Sequence, residues 1–162
     1  MNQLLHVSAS PHIKDRVTTS SIMLDVIIAL IPATLFGIIQ FKINALLIIV
    51  TTITTCVLAE YLYERFMKKT ITIKDLSAVV TGLILALNLP STVPLWLPVI
   101  GGLFAIIVVK QFYGGLGQNF MNPALAARCF LLISFTGRMT NFVFDGMTSS
   151  TPLAILKNGE SF

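Results

Sequence analysis

Residues 76–109 read "LSAVVTGLILALNLPSTVPLWLPVIGGLFAIIVV", 34 consecutive positions without a single charged side chain. A membrane-spanning helix needs about 20 apolar residues, within a range of roughly 17–25. The run is therefore too long for one span and tight for two joined by a loop. Its middle, "LNLPSTVPLWLP", carries Pro90, Pro94 and Pro98, and an unbroken helix cannot pass through them. The pattern predicts two spans, the first borrowing residues from Ile71 onward and the second starting near Trp96. The alternative is a re-entrant pair of half-helices.

Outward from this run, composition fixes the class. Of 162 residues 55% are hydrophobic and only 11% are charged, against about 25% charged in a soluble domain. So little polar surface cannot coat a globule in water, and the chain is an integral membrane protein. Lys and Arg exceed Asp and Glu by 11 to 7. They lie scattered between apolar runs with no basic stripe, which fits lipid head groups and the positive-inside rule and excludes a nucleic-acid surface. Cys56 and Cys129 sit far apart inside apolar runs and lack metal or redox spacing. Four cysteines usually hold an iron–sulfur cluster, so packing is their expected role.

Upstream, two further apolar segments run from about Ser21 to Phe41 and from about Asn44 to Tyr63, separated only by "FKIN", which implies a tight helical hairpin. Downstream, "KQFYGGLGQNFMNP" leads into a fifth segment from Pro123 to Phe135. Asn122 is its expected N-cap, with proline at the first helical position. The segment is short for a full span, which suggests a helix that starts at depth inside the protein. The expected architecture is all-α, a polytopic bundle of about five spans with interrupted or half-length helices. A tail (1–20) precedes the transmembrane part (21–136), and an outer-face segment (137–162) follows it. The tail lacks the apolar core of a cleaved secretory signal, so the first span serves as its own insertion signal. Lys14, Arg16, Arg65, Lys68, Lys69, Lys74 and Lys110 fall on one side and Lys42 and Arg138 on the other. The N-terminus is therefore expected in the cytoplasm.

Three intramembrane charges need partners or an exit to water. Asp25 and Glu60 lie near the cytoplasmic boundary, where snorkelling or solvation explains them. Arg128 lies deeper, where an unpaired charge costs roughly 2.5–3.5 kcal/mol on insertion scales. Pairing with a carbonyl or carboxylate is one reading; stabilising an anionic ligand is the other. His12 lacks a second ligand and suits a contact to a partner subunit better than a metal site.

The last feature is "DGMTSSTPL", Asp145 to Leu153. Thr151 followed by Pro152 makes a plausible helix N-cap. That does not account for Thr148, Ser149 and Ser150, nor for Asp145 with Gly146. A small-residue run ending in a hydroxyl suits enzymatic modification, and a helix N-terminus beyond it suits a phosphate.

This stretch resembles the flavinylation motif of the RnfD/NqrB family, in which FMN is joined through its phosphate to a threonine by a flavin transferase. Asp145 matches the motif aspartate and Thr151 the acceptor, while Ser150 replaces the usual alanine and is a competing hydroxyl. "SPHI" (Ser10 to Ile13) and "GGLGQNFMNPALAAR" (Gly114 to Arg128) are similar to two further family motifs, in the family's order. The short tail is more similar to RnfD than to NqrB. Family members are about twice this long. "GGLG" follows no strand, which excludes a dinucleotide fingerprint. Given the resemblance, Gly114, Gly115, Gln118, Asn119 and Asn122 are candidates for close backbone approach to a flavin, with Arg128 beside them.

The resemblance implies an electron-carrying subunit of an Rnf-type complex in a bacterial or archaeal cytoplasmic membrane. Such a complex couples ferredoxin and NAD electron transfer to Na+ or H+ movement. It implies covalent FMN at Thr151 on the outer face, riboflavin held by some members, partner subunits including one that also carries FMN, surrounding membrane lipid, and no nucleic acid. The rival class is a channel or transporter subunit without a redox role. It explains the proline-broken spans equally well and gives no reason for "DGMTSSTPL".

Overall fold

The computed structural model describes residues 17–144 and 147–149. The longest element, α1 (Thr19–Phe66), is 48 residues long and leaves helical geometry only at Lys42, with φ 54° and ψ −135°. Straight, it would be about 72 Å long. Yet the Ser20 hydroxyl donates to the Lys74 carbonyl at 3.0 Å, and the eight residues from Phe66 to Lys74 can reach at most about 28 Å. The helix must therefore turn back on itself at Lys42. This is the hairpin expected from "FKIN". Thr18 caps its start by accepting from the Ser21 N–H at 3.3 Å. In the returning limb Thr51, Thr52, Thr54 and Thr55 each donate a hydroxyl hydrogen bond to a carbonyl three or four residues earlier, so these side chains satisfy themselves within an apolar environment.

A 3₁₀ turn (Ile73–Asp75) leads into α2 (Ser77–Leu87). The helix thus begins at Ser77 rather than near Ile71. Leu76 between them is left-handed, φ 62°, and the Asp75 carboxylate accepts from the Ser77 N–H at 2.9 Å, which stops the helix from extending backward. After the Pro90–Pro94 turn, α3 (Trp96–Leu103) continues directly into a π-helix (Phe104–Gln111). The 34-residue apolar run therefore forms two helical segments, α2 and α3 with its π-helical continuation, joined by the Pro90–Pro94 turn. Next come α4 (Pro123–Ser134), the single turn α5 (Thr136–Met139), and the antiparallel hairpin β1 (Phe142–Phe144) and β2 (Met147–Ser149).

The two limbs of α1 and the helices α2, α3 and α4 make an all-α membrane helix bundle of five antiparallel segments. Among the described residues α1 is the one helix both long and apolar enough to cross a membrane by itself; α2, α3 with its π-helical continuation, and α4 are shorter and apolar. Close approach depends on glycine. A Cβ on Gly82 would lie 2.9 Å from the Cα of Ile53, so α2 meets the returning limb backbone to backbone. The core joins Ile48, Leu85, Leu97, Ala127 and Leu131, while Phe104 stacks on Phe130 with centroids 4.3 Å apart. Trp96 meets Phe135 edge to face at 5.2 Å.

The bundle has two distinct ends. Thr19, Lys74, Lys110 and Asn122 lie at one. Lys42, the Ser91–Leu95 turn and Asn141 lie at the other, where the Thr92 hydroxyl donates to the Asn141 carbonyl at 2.7 Å. The segment that precedes "DGMTSSTPL" is thereby fixed at the end opposite to Thr19.

Candidate functional site

At the Lys74 end the apolar interior is interrupted by a polar cluster. Glu60 and Glu64, one turn apart on α1, are 0% and 2% exposed. Lys110 is 2% exposed, and its Nζ lies 2.7 Å from Glu60 Oε1 and 2.5 Å from Ser77 Oγ. The Ser77 hydroxyl donates in turn to Asp75 Oδ1 at 2.6 Å. Gln111 donates from Nε2 to Glu60 Oε1 at 3.1 Å and to Glu64 Oε1 at 3.5 Å. Glu64 also accepts from the Thr72 N–H at 3.0 Å and from the Thr72 hydroxyl. Glu60 Oε2 is buried and has no hydrogen-bond partner among the described residues.

The π-helix explains how this cluster assembles. In an α-helix, neighbouring residues point about 100° apart, so two in succession rarely face the same interior. The wider i→i+5 turn brings Lys110 and Gln111 inward together. Its carbonyls are recovered below it, where the Phe112 N–H donates to Ile107 O and the Gly115 N–H to Lys110 O. Burying this ion pair demands close compensation, because the desolvation cost of two charges is offset only by good geometry and further hydrogen bonds. Lys110 and Ser77 on one side and Gln111 on the other provide that.

The glycine turn sits directly below. Gly114, Gly115 and Gly117 have φ of 112°, 101° and 86°, which favours residues without a Cβ. At Gly114 a Cβ would meet Gln118 Oε1 at 2.0 Å, whereas Gly115 and Gly117 face open space. The turn separates two cavities. One, of about 90 Å³, is lined by Ser77, Thr81, Lys110, Asn119 and Asn122 among others. The other, of about 310 Å³, is a polar crevice whose walls include Glu64, Thr72, Asp75, Gln111, Gly114 and Gly115. Asn119 donates to the Met121 carbonyl at 2.8 Å. Asn122 caps α4, its Oδ1 accepting from the Ala124 and Leu125 N–H groups at 3.0 and 3.4 Å. The expected cap is thus present, and the first donors of α4 are engaged by the cap itself.

The structure brings Asn119 and Asn122 to one cavity with Lys110, sets Gly114 and Gly115 on the wall of the other, and places Gln118 over Gly114. Arg128 stands apart: it is exposed, and its guanidinium donates to the Asn88 side-chain oxygen at 2.6 Å. Asp145, Gly146, Ser150 and Thr151 lie outside the described residues. Thr148 and Ser149 belong to β2, paired with Val143 and Phe142.

Sequence reasoning missed the polar cluster. Glu60 does not snorkel to a boundary; it is buried and paired with Lys110, because the π-helix turns that lysine inward. Asp25 is exposed. The available signal was the charge at Lys110 and the amide at Gln111, immediately after a long uncharged run.

Residues 6–162 match the model of the family described as "NQR2, RnfD, RnfE family". The chain belongs to that family. It is 50% identical over 166 residues to the D component of the Na(+)-translocating ferredoxin:NAD(+) oxidoreductase complex of Acetobacterium woodii, covering 99% of this chain and 52% of that one. It is 42% identical over 157 residues to the D component of the proton-translocating ferredoxin:NAD(+) oxidoreductase complex of Clostridium ljungdahlii, with coverage of 93% and 47%. With the D component of the ion-translocating oxidoreductase complex of Shewanella denitrificans it shares 42% identity over 139 residues, covering 85% and 40%. The chain spans about half the length of the curated relatives it matches.

Proposed function

We propose that this chain is part of an electron-carrying membrane subunit of an Rnf-type complex. The complex would couple electron transfer between ferredoxin and NAD to translocation of Na+ or H+. The chain acts as a subunit of an ion-translocating oxidoreductase and is not catalytic alone. It carries FMN through a phosphoester to Thr151, placed there by a flavin transferase. The carrying observation is "DGMTSSTPL" in a chain of this family, following a segment held at the bundle end opposite to Thr19.

Asp145, Gly146, Thr148, Ser149 and Ser150 form the recognition stretch for the transferase. With the basic residues Arg65, Lys68, Lys69 and Lys74 on the cytoplasmic face, Thr151 lies on the outer face of the cytoplasmic membrane. When bound, FMN supplies one- and two-electron redox chemistry; the protein supplies position and electrostatics. The open space over Gly115 and Gly117 lets a flavin approach the backbone there, while Asn119 and Asn122 line a separate cavity of about 90 Å³, too small for a whole flavin; riboflavin, which some family members hold, is assigned to no residue of this chain. Gly114 and Gln118 hold the shape of the turn. Arg128, exposed beside Asn88, is available to an anionic group. Neighbouring subunits, one of them FMN-bearing, exchange electrons with it within the lipid bilayer.

The test is intact mass and in-gel flavin fluorescence of the chain expressed with the flavin transferase. A mass increase equal to esterified FMN should appear in wild type and vanish in Thr151→Ala. Modification that persists in Thr151→Ala and disappears in Ser150→Ala moves the attachment by one residue. An unmodified wild type returns Thr151 to a helix cap and favours a transporter without a redox role.

A further inference from the structure

We propose that Asp75, Ser77, Lys110 and Glu60 form a proton-transfer wire between the polar crevice and the buried Glu60 carboxylate. The contacts are continuous: Asp75 Oδ1 to Ser77 Oγ 2.6 Å, Ser77 Oγ to Lys110 Nζ 2.5 Å, and Lys110 Nζ to Glu60 Oε1 2.7 Å. Every link joins a group that holds a transferable proton to one that can accept it. Asp75 lines the crevice of about 310 Å³, so the outer end meets water. At the inner end Glu60 Oε2 is fully buried with no partner among the described residues, and it can hold a proton or pass it on.

The step balances without a co-reactant. An N–H bond of the Lys110 ammonium breaks as an O–H bond forms on Glu60. With Lys110 now a neutral amine, the Ser77 hydroxyl turns from Asp75 Oδ1 to Lys110 Nζ and gives up its proton there, while Asp75, protonated from the crevice, donates its own proton to Ser77 Oγ. Asp75 loses one proton, Glu60 gains one, and Ser77 and Lys110 end as they began.

The second arm of the cluster does not serve this purpose. Gln111, between Glu60 and Glu64, is an amide that orients both carboxylates and relays no proton. The charged groups that face Glu60 are Lys110 from the π-helix, Asp75 from the 3₁₀ turn and Glu64 from its own helix; the Cys56 thiol lies one turn away. The wire consists of bundle side chains alone and stands whether or not Thr151 carries a flavin.

The experiment follows proton uptake after a rapid drop in pH by time-resolved infrared spectroscopy, with the 162-residue chain in lipid nanodiscs. The carboxylic acid band of Glu60 is identified by its loss in Glu60→Gln. In wild type that band rises after the jump. Ser77→Ala leaves its final amplitude intact and slows its rise by roughly 10²-fold, and Ser77→Thr restores the rate. Asp75→Asn, which keeps an acceptor for the start of α2, slows the rise as Ser77→Ala does. It serves as the deciding variant should Ser77→Ala fail to fold. No Glu60 band in wild type, or wild-type rates in Ser77→Ala or Asp75→Asn, overturns the proposal.

Discussion

Two residues carry conformations or charges that their neighbours must compensate, and each makes a measurable demand. Lys110 is held by Glu60 and Ser77 in a dry interior. Replacing it with methionine leaves the Glu60 charge buried without its counter-ion, and we expect a loss of about 3–5 kcal/mol in unfolding free energy. The double variant Lys110→Met, Glu60→Gln removes both charges and should recover most of that loss, so a double-mutant cycle in detergent checks the coupling directly. Lys42 adopts φ 54° and ψ −135° at the hairpin turn, a region open mainly to glycine. Lys42→Gly should therefore stabilise the fold by ~1 kcal/mol, seen as a higher melting temperature. Little of this was legible in sequence. "FKIN" between two apolar runs announces a reversal, but nothing local says that Glu60 will find a cation 50 positions away. A buried ion pair is a property of packing, and its two halves look like two isolated polar residues until the helices meet.

At the scale of elements, glycine and the π-helix decide how the spans fit. Gly82 allows α2 to touch the Ile53 backbone, so Gly82→Ala should force the helices apart and cost about 1–3 kcal/mol, read as a lower midpoint in denaturant titration. The π-helix is a more unusual device. Deleting exposed Val108 would return Phe104–Gln111 to α-helical spacing and rotate Lys110 by about 100° away from Glu60. The expected result is faster amide exchange around Ser77 and Glu60, with the stacking of Phe104 on Phe130 retained. The helices themselves follow from the apolar runs, and the Asn122 cap from its proline. The later start of α2 and the π-helix leave no such trace: each depends on hydrogen bonds, from Asp75 to Ser77 and from Lys110 and Gln111 to Glu60, that exist only once the bundle has closed.

At the scale of the whole molecule, an odd number of antiparallel segments puts Thr19 and Asn141 at opposite ends. In a Cys129→Ser background, which removes the exposed native thiol, Lys68→Cys should react with a membrane-impermeant maleimide only in inverted vesicles. Asn141→Cys should react only in right-side-out vesicles. Labelling of both from one side would exclude this topology. The orientation expected from the distribution of basic residues rests on a rule the bilayer imposes on any chain, and this labelling is its test. The site was readable only in part: the glycine turn and the Asn122 cap announce themselves, whereas the carboxylates and the lysine beside them do not.

The 50-residue separation of Glu60 and Lys110 also bears on how the protein is made. Synthesis at roughly 5–20 residues per second means that Glu60 leaves the ribosome about 3–10 s before the lysine that neutralises it. During that interval the returning limb of α1 holds an uncompensated carboxylate and cannot settle at its final depth in the bilayer without cost. Insertion of the first hairpin is therefore expected to remain reversible until the fourth segment arrives, and the arrival of Lys110 locks three segments in one event.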